Sequence, residues 1–337
     1  MAALGWSGAM LHLLNHAVLK GGLFLGAGAV ANALHGELDI DRMGGLMKRM
    51  PWTGTIFSLN ALGLAGLPPL NGFVGEFRIY RAAFAGIAGG GGAVWIASLA
   101  TVVILALIGA LAATVYVKAI GAVFLGLPRT PAAEQAKEAP RSLRLVPALL
   151  FGLNPLLLLL SPWLVQGFGA LTAGWVAPEA AAYASGWCAR LVPVLLLLLL
   201  LPSGLLIVRA FWSRRRPSET GVTWDCGFAR PTARMEYTGS ALTAPQLRFM
   251  RRVFAPEHEM DLPSEMFPKT GGFNFRIVDL PERLLWGPLF RGFGRLAEKV
   301  HKLQSGYLHF YILLMMLALL AMLVWGMFFH APAAGGR

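Results

Sequence analysis

Apolar residues run along this chain in blocks separated by short polar stretches, and about 20 consecutive apolar residues span the ~30 Å hydrocarbon core of a bilayer. Six blocks qualify: I, about 9–34; II, about 53–86; III, about 93–126; IV, about 144–167; V, about 187–211; and VI, about 307–329. Segment V holds an unbroken run from Leu195 to Leu201, and segment VI is apolar from Phe310 through Trp325. Segment II is too long for one straight crossing. Its centre, Gly66-Leu67-Pro68-Pro69-Leu70-Asn71-Gly72, removes backbone donors and cannot continue a regular helix. The predicted fold is all-α: a polytopic integral membrane protein with about six transmembrane helices, one of them broken.

The one long polar region, about 212–305, ends in an amphipathic stretch from Glu282 to Leu303. Leu285, Leu289, Phe293, Leu296, Val300 and Leu303 form one stripe; Arg291, Arg295, Lys299 and Lys302 form another. That is the profile of a lateral helix lying on an anionic membrane face, touching lipid headgroups, or of a strut against a partner. Within the same region Trp224-Asp-Cys-Gly-Phe and Met235-Glu-Tyr-Thr-Gly match no metal or phosphate motif, so a docking surface is expected there rather than a catalytic site. Four parts follow: a core over 1–126, additional transmembrane helices over 127–211, a cytoplasmic loop with the amphipathic helix over 212–305, and a final helix over 306–337.

Composition strengthens this picture. Hydrophobic residues make up 56% of the chain and charged residues 14%, against a usual ~25% charged, and mean hydropathy is +0.60. The net charge of +12 would suit nucleic acid, but its placement points to the bilayer instead, and no nucleic-acid partner is expected. The short loops I–II and III–IV carry Arg42, Lys48, Arg49, Arg129, Lys137, Arg141 and Arg144, and the V–VI loop is basic throughout. The opposite side is assigned only Arg78, Arg81, Arg190 and Arg337. The positive-inside rule then places loops I–II, III–IV and V–VI in the cytoplasm and both termini outside, in a multi-pass protein of the cell (inner) membrane.

Cys188 and Cys226 are the two cysteines, far apart and without a CxxC. Iron–sulfur clusters usually take four cysteine ligands and no dinucleotide fingerprint is present, so no cofactor, metal or redox centre of its own is expected. Any redox chemistry belongs to a partner. The amino terminus enters an apolar segment almost at once, without a basic flank and with a stretch too long for a signal peptide, which suggests preceding segments encoded elsewhere or lost.

Lys20, Glu76 and Lys118 lie inside apolar membrane-length segments, where a charge at a helix centre costs at least ~2.5 kcal/mol. His12, His16 and Lys20 fall at i, i+4 and i+8, drifting only about 40° per step, so they share one helical stripe. Each step rises ~6 Å, longer than a hydrogen bond, so a proton would need intervening waters. Imidazole titrates near neutrality. The competing reading is a packed helix whose histidines bond neighbouring carbonyls.

Glu76 starts the second half of segment II, one turn beyond Gly72. There the helix dipole favours its anion and desolvation its acid, a balance suited to taking and releasing a proton. Discontinuous helices occur at transporter ion sites because freed backbone groups can line a hydrated cavity. The alternative is a proline kink with a carboxylate paired to Arg78 or Lys20. Lys118 is either an entry-path residue or a side chain snorkelling to the interface. Gly22, Gly26 and nearby Gly28 make a small-residue face for close helix packing. Segments IV and V are expected to be anchors or packing elements.

The residues "HLLNHAVLKGGLFLGAGAV", "DIDRMGGLMKRMPW" and "ALGLAGLPPLNGFVGEF" resemble the antiporter-like proton-channel subunits of complex I, membrane-bound hydrogenases and Mrp-type antiporters. The tail "TWDCGFARPTARMEYTGSALTAPQLRFMRRVF" looks most like that of hydrogenase-4 and formate hydrogenlyase membrane subunits. The core match covers about 8–126 and the tail match about 222–305. The resemblance implies a proton-translocating subunit coupled to electron transfer in a peripheral arm, with other membrane and peripheral subunits of a hydrogenase- or complex-I-like assembly as partners. It implies that His12, His16 and Lys20 feed a central hydrated axis and that Glu76 stands near the external exit, beside the helix break at Pro68, Pro69, Asn71 and Gly72.

Members of that family have about fourteen or more helices in two inverted repeats. The first carries an essential Glu and a Lys on helices preceding segment I, and nothing here corresponds to it. The chain resembles the carboxy-terminal portion, from which autonomous pumping is not expected. Two other functions compete: a non-conducting membrane anchor, and a monovalent cation/proton antiporter subunit of Mrp type, against which the hydrogenase-like tail argues.

Overall fold

The computed structural model describes residues 1–171, 174, 178–214, 232–250, 257–261, 272–276, 279–301 and 306–329. It divides into two compact units, Met1–Pro245 and Gln246–Arg337. The first unit contains α1 (Ala2–Ala33), α2 (Leu46–Arg49), α3 (Pro51–Leu64), α4 (Asn71–Gly89), α5 (Ala93–Ala119), α6 (Pro131–Gln135), α7 (Arg141–Ala170), α8 (Pro178–Ser213) and the start of α9 (Gly239–Phe249). A wider π turn prolongs α5 to Phe124. In the second unit follow strands β1 (Glu257–Asp261) and β2 (Gly272–Arg276), then α10 (Gly287–His301) and α11 (Leu308–Phe329).

Among the described residues, five helices are long and apolar enough to cross a membrane: Ala2–Ala33, Ala93–Phe124, Arg141–Ala170, Ala182–Ser213 and Leu308–Met327. The protein is an all-α, polytopic membrane protein, with one antiparallel strand pair, β1–β2, as its non-helical exception. Segment I begins at Ala2 rather than near residue 9, because no proline or charge between them stops the helix. Segment II is two helices, α3 and α4, with the chain turning between Leu64 and Asn71.

α1 is the centre of the first unit and packs against α4, α7 and α3, while α8 packs on α7 and α5 on α4. One apolar cluster joins Leu4 and Leu11 of α1 to Val74, Leu158, Val165, Cys188 and Leu195 of α4, α7 and α8. A second lies at the far end of α1, where Val30 and Leu34 meet Met43, Leu46, Met50 and Phe124. Gly22 and Gly26 face Asn60 and Phe57 of α3, but Gly28 faces open space and is not part of that packing face.

Prolines inside α7 are accommodated locally. Pro155 cannot donate to the Phe151 carbonyl, and Asn154 Nδ2 donates to it instead at 3.1 Å. Pro162 likewise frees the Leu158 carbonyl, which accepts from Ser161 Oγ at 2.8 Å. In each case the residue just before the proline restores the lost bond.

The polar end of this unit is knitted from three sequence regions. Gly45 N–H donates to the Leu125 carbonyl (2.8 Å) and Arg129 N–H to that of Met43 (3.1 Å). The Glu236 carboxylate accepts from Leu127 N–H and lies 3.9 Å from Arg129 Nη2, which donates to the Tyr237 carbonyl. Gly239 N–H donates to Asp41 at 2.6 Å. The Met235–Gly239 stretch, expected as a docking surface, is therefore bound to this chain's own loops. Trp224-Asp-Cys-Gly-Phe lies outside the described residues. In the second unit α10 realises the amphipathic stretch, with Leu289, Phe293, Leu296 and Val300 exposed; Lys302 and Leu303 lie outside the described residues.

Candidate functional site

The site is built where α1 crosses α4. A Cβ added at Gly75 would stand 2.7 Å from the Cα of His12, so the two backbones touch there. The side chain at that crossing on α1 is His12, half-buried, with Nδ1 buried and without a hydrogen-bond partner among the described residues. Glu76 is the next residue along α4. Its carboxylate reaches back over the break: a methyl at Gly66 would lie 2.5 Å from Glu76 Oε2. Gly66 has φ +70°, a left-handed conformation natural only to glycine, so the turn and the space for the carboxylate depend on the same residue.

The break itself is closed by polar contacts. The Pro68–Pro69 bond is cis, the Leu70 N–H donates to the Leu67 carbonyl at 3.0 Å, and α4 opens at Asn71. Asn71 is 1% exposed and Asn15, on α1, is 0% exposed. Asn15 Nδ2 donates to the Asn71 carbonyl (3.0 Å) and Asn71 Nδ2 donates to Asn15 Oδ1 (2.6 Å). This reciprocal clamp fixes the first residue of α4 against α1, and Gly72 packs on the carbonyl of Gly63 at the end of α3. Asn15 lies between His12 and His16 in the sequence, yet an uncharged residue in an apolar segment carried no signal for this role.

The stripe on α1 divides in the tertiary structure. His12 and His16 rings are 5.9 Å apart, but His16 and Lys20 are exposed on the outer surface of the unit, and Lys20 Nζ sits 5.2 Å from the Phe24 ring. Glu76 has no ion pair among the described residues, so neither Arg78 nor Lys20 neutralises it. Lys118 is remote from this crossing. Its ε-carbon packs against Gly239, beside Asp41, at the polar end.

Arg78, assigned from the sequence to a flanking loop, is a correction: it is 2% exposed, inside α4. Its guanidinium donates to the Ala184 carbonyl (2.9 Å), to Cys188 Sγ (2.7 Å) and to Ser7 Oγ. One turn on, Arg81 stacks on Trp187 with Cζ 3.7 Å from the ring centroid. The arginines face inward because α8 brings a carbonyl, a thiol and an indole to them. α8 therefore does more than anchor: it receives both arginines of α4.

A polytopic helical membrane protein with an interrupted helix and ionisable groups at its central crossing is the class this fold and site define. Residues 1–109 match the family described as NADH:quinone oxidoreductase/Mrp antiporter, transmembrane region. Over 339 residues the chain is 32% identical to hydrogenase-4 component B of Escherichia coli, covering 96% of this chain and 50% of that protein. Formate hydrogenlyase subunit 3 of the same organism is 33% identical over 261 residues, 76% of this chain and 40% of that protein. The chain thus spans about half the length of the curated relatives it matches. A chain of the archaeal membrane-bound sulfane sulfur reductase, a respiratory membrane complex, shares the fold with TM-score 0.55 at 20% identity, over 95% of this chain and 48% of that one.

Proposed function

We propose that this chain forms part of a proton-translocating membrane subunit in a hydrogenase-4- or complex-I-like assembly, coupling electron transfer in partner subunits to proton movement. The observation that carries the proposal is the placement of Glu76. It stands over a helix break, without an ion pair among the described residues, one residue beyond the point where α4 touches His12. An ionisable group so placed is poised for proton exchange rather than for structural pairing. His12, His16 and Lys20 supply the approach along α1, with Glu76 on the exit side of Lys20. Lys118, at the polar end, is assigned to the entry side.

His16 and Lys20 point out of the unit. Neither belongs against hydrocarbon, where a lysine at midspan costs at least ~2.5 kcal/mol. In the assembly that face of α1 is covered by further polypeptide and water, which completes the path. Residues 1–126 are the conducting core in this reading, 127–211 the added transmembrane helices, 212–305 a cytoplasmic loop with its lateral helix and 306–337 the last helix. The loops 34–51 and 122–140 and residues 236–239 hydrogen-bond to one another at one end. That supports a single basic face, assigned to the cytoplasmic side of the inner membrane by the positive-inside rule.

The test is proton-to-electron stoichiometry of the complete assembly carrying Glu76→Gln or Lys20→Ala. Proton pumping is expected to be abolished with the electron-transfer chemistry retained. Unchanged stoichiometry in both variants would leave the chain as a membrane anchor.

A further inference from the structure

α7 begins Arg141-Ser142-Leu143-Arg144, and from Leu145 to Ala170 it carries no charged residue. The two arginines therefore mark the end of a membrane span. Facing them is the start of α3, with Pro51 and the exposed Trp52. Between the two helix ends lies an open groove of about 370 Å³. Trp52, Ile56, Leu145 and Ala148 form its wall, and Arg141, Ser142 and Arg144 stand at its polar mouth.

Neither arginine has an ion pair among the described residues, and Arg144 Nε is buried without a hydrogen-bond partner. The acid beside the groove, Glu138, is already engaged: its carboxylate accepts from Trp52 N–H (2.8 Å), Thr53 Oγ1 (2.6 Å) and Ala139 N–H (3.1 Å). No side chain caps the first turn of α7, so its free N–H groups add to the positive potential. A buried guanidinium nitrogen with nothing to donate to indicates a missing acceptor.

We propose that this groove binds an anionic glycerophospholipid, its phosphate held by Arg141, Ser142 and Arg144 and an acyl chain laid along Trp52, Ile56, Leu145 and Ala148. Free phosphate fits less well, because the apolar wall below the arginines would remain open. A zwitterionic lipid would bring its own ammonium against two guanidinium groups. Trp52, in the first turn of α3, suits the headgroup level of a bilayer, and basic pockets between transmembrane helices recognise acidic headgroups. The proposal does not depend on proton conduction.

The full chain, delipidated in mild detergent, is titrated with phosphatidylglycerol and phosphatidylcholine and lipid-bound species are counted by native mass spectrometry. Phosphatidylglycerol is expected to bind more tightly. Arg141→Gln combined with Arg144→Gln is expected to weaken it about twenty-fivefold, the product of about fivefold for each basic side chain near an anionic lipid surface. Ile56→Trp, which fills the groove and keeps both charges, weakens it as well, and photoactivatable phosphatidylglycerol labels the peptide containing Ser142 to Ala148. Equal binding of the two lipids, double-variant affinity within twofold of wild type, labelling confined to other peptides, or displacement by millimolar inorganic phosphate would each overturn the proposal.

Discussion

Two residues show how a charge can be held within an apolar bundle. Arg78 is surrounded by acceptors from three places: the hydroxyl of Ser7, the thiol of Cys188 and the carbonyl of Ala184. Removing one member of a buried charged network costs roughly 3–5 kcal/mol. Arg78→Ala is therefore expected to lower thermal stability in detergent severely. Arg78→Lys should recover only part of it, since an ammonium lacks the fork that reaches separate acceptors; equal melting of the lysine variant and wild type would reject the role. Glu76 is different, because it is backed by the missing side chain of Gly66. Gly66→Ala adds a methyl 2.5 Å from the carboxylate and strains a φ of +70°, at about 1–2 kcal/mol for the backbone alone. Under the proposed function, the expected result is loss of proton translocation with the assembly still formed, checked by pumping assays on reconstituted complexes.

At the scale of elements, contact between α1 and α4 organises the site. Helices associate in lipid by close packing and polar contacts rather than by hydrophobic exclusion, and both are present: Gly75 against His12, and Asn15 clamped to Asn71. Gly75→Leu should force the helices apart and reduce the folded yield measured by size-exclusion chromatography. Gly28→Ala, whose Cβ would meet nothing within 4 Å, should leave that yield unchanged. Asn15→Ala removes the acceptor of the buried Asn71 side-chain amide, at an expected cost of about 1–3 kcal/mol, readable as a lower melting temperature. The break between α3 and α4 was legible because Pro68 and Pro69 cannot continue a helix. The clamp that holds it was not, since a lone asparagine in an apolar run gives no indication of its partner 56 positions away.

Across the first unit, one carboxylate ties two sequence regions of the polar end together. Glu236 accepts from Leu127 N–H and pairs with Arg129, which in turn donates to carbonyls of Ala122 and Tyr237. Glu236→Ala should loosen residues 122–130 and 232–242 together, seen as faster amide hydrogen exchange in both, with the α1–α4 crossing unchanged. Exchange confined to the 232–242 segment would show that the two regions are not coupled. The same assay has a built-in reference in the core at Leu11 and Val74.

The sequence by itself determined the membrane class, the apolar segments, the interruption of segment II and the family resemblance. Each rests on local chemistry: apolar length, proline, or a run of motif residues. Tertiary structure alone decided which charged side chains turn inward. Apolar residues cover every side of a membrane helix, so hydrophobic periodicity does not distinguish a face packed on protein from one turned to lipid. Arg78 is accordingly buried and Lys20 exposed, although both occupy apolar segments. The difference lies in the partners that α8 and the amino-terminal part of α1 bring to Arg78, while among the described residues no element is brought over Lys20.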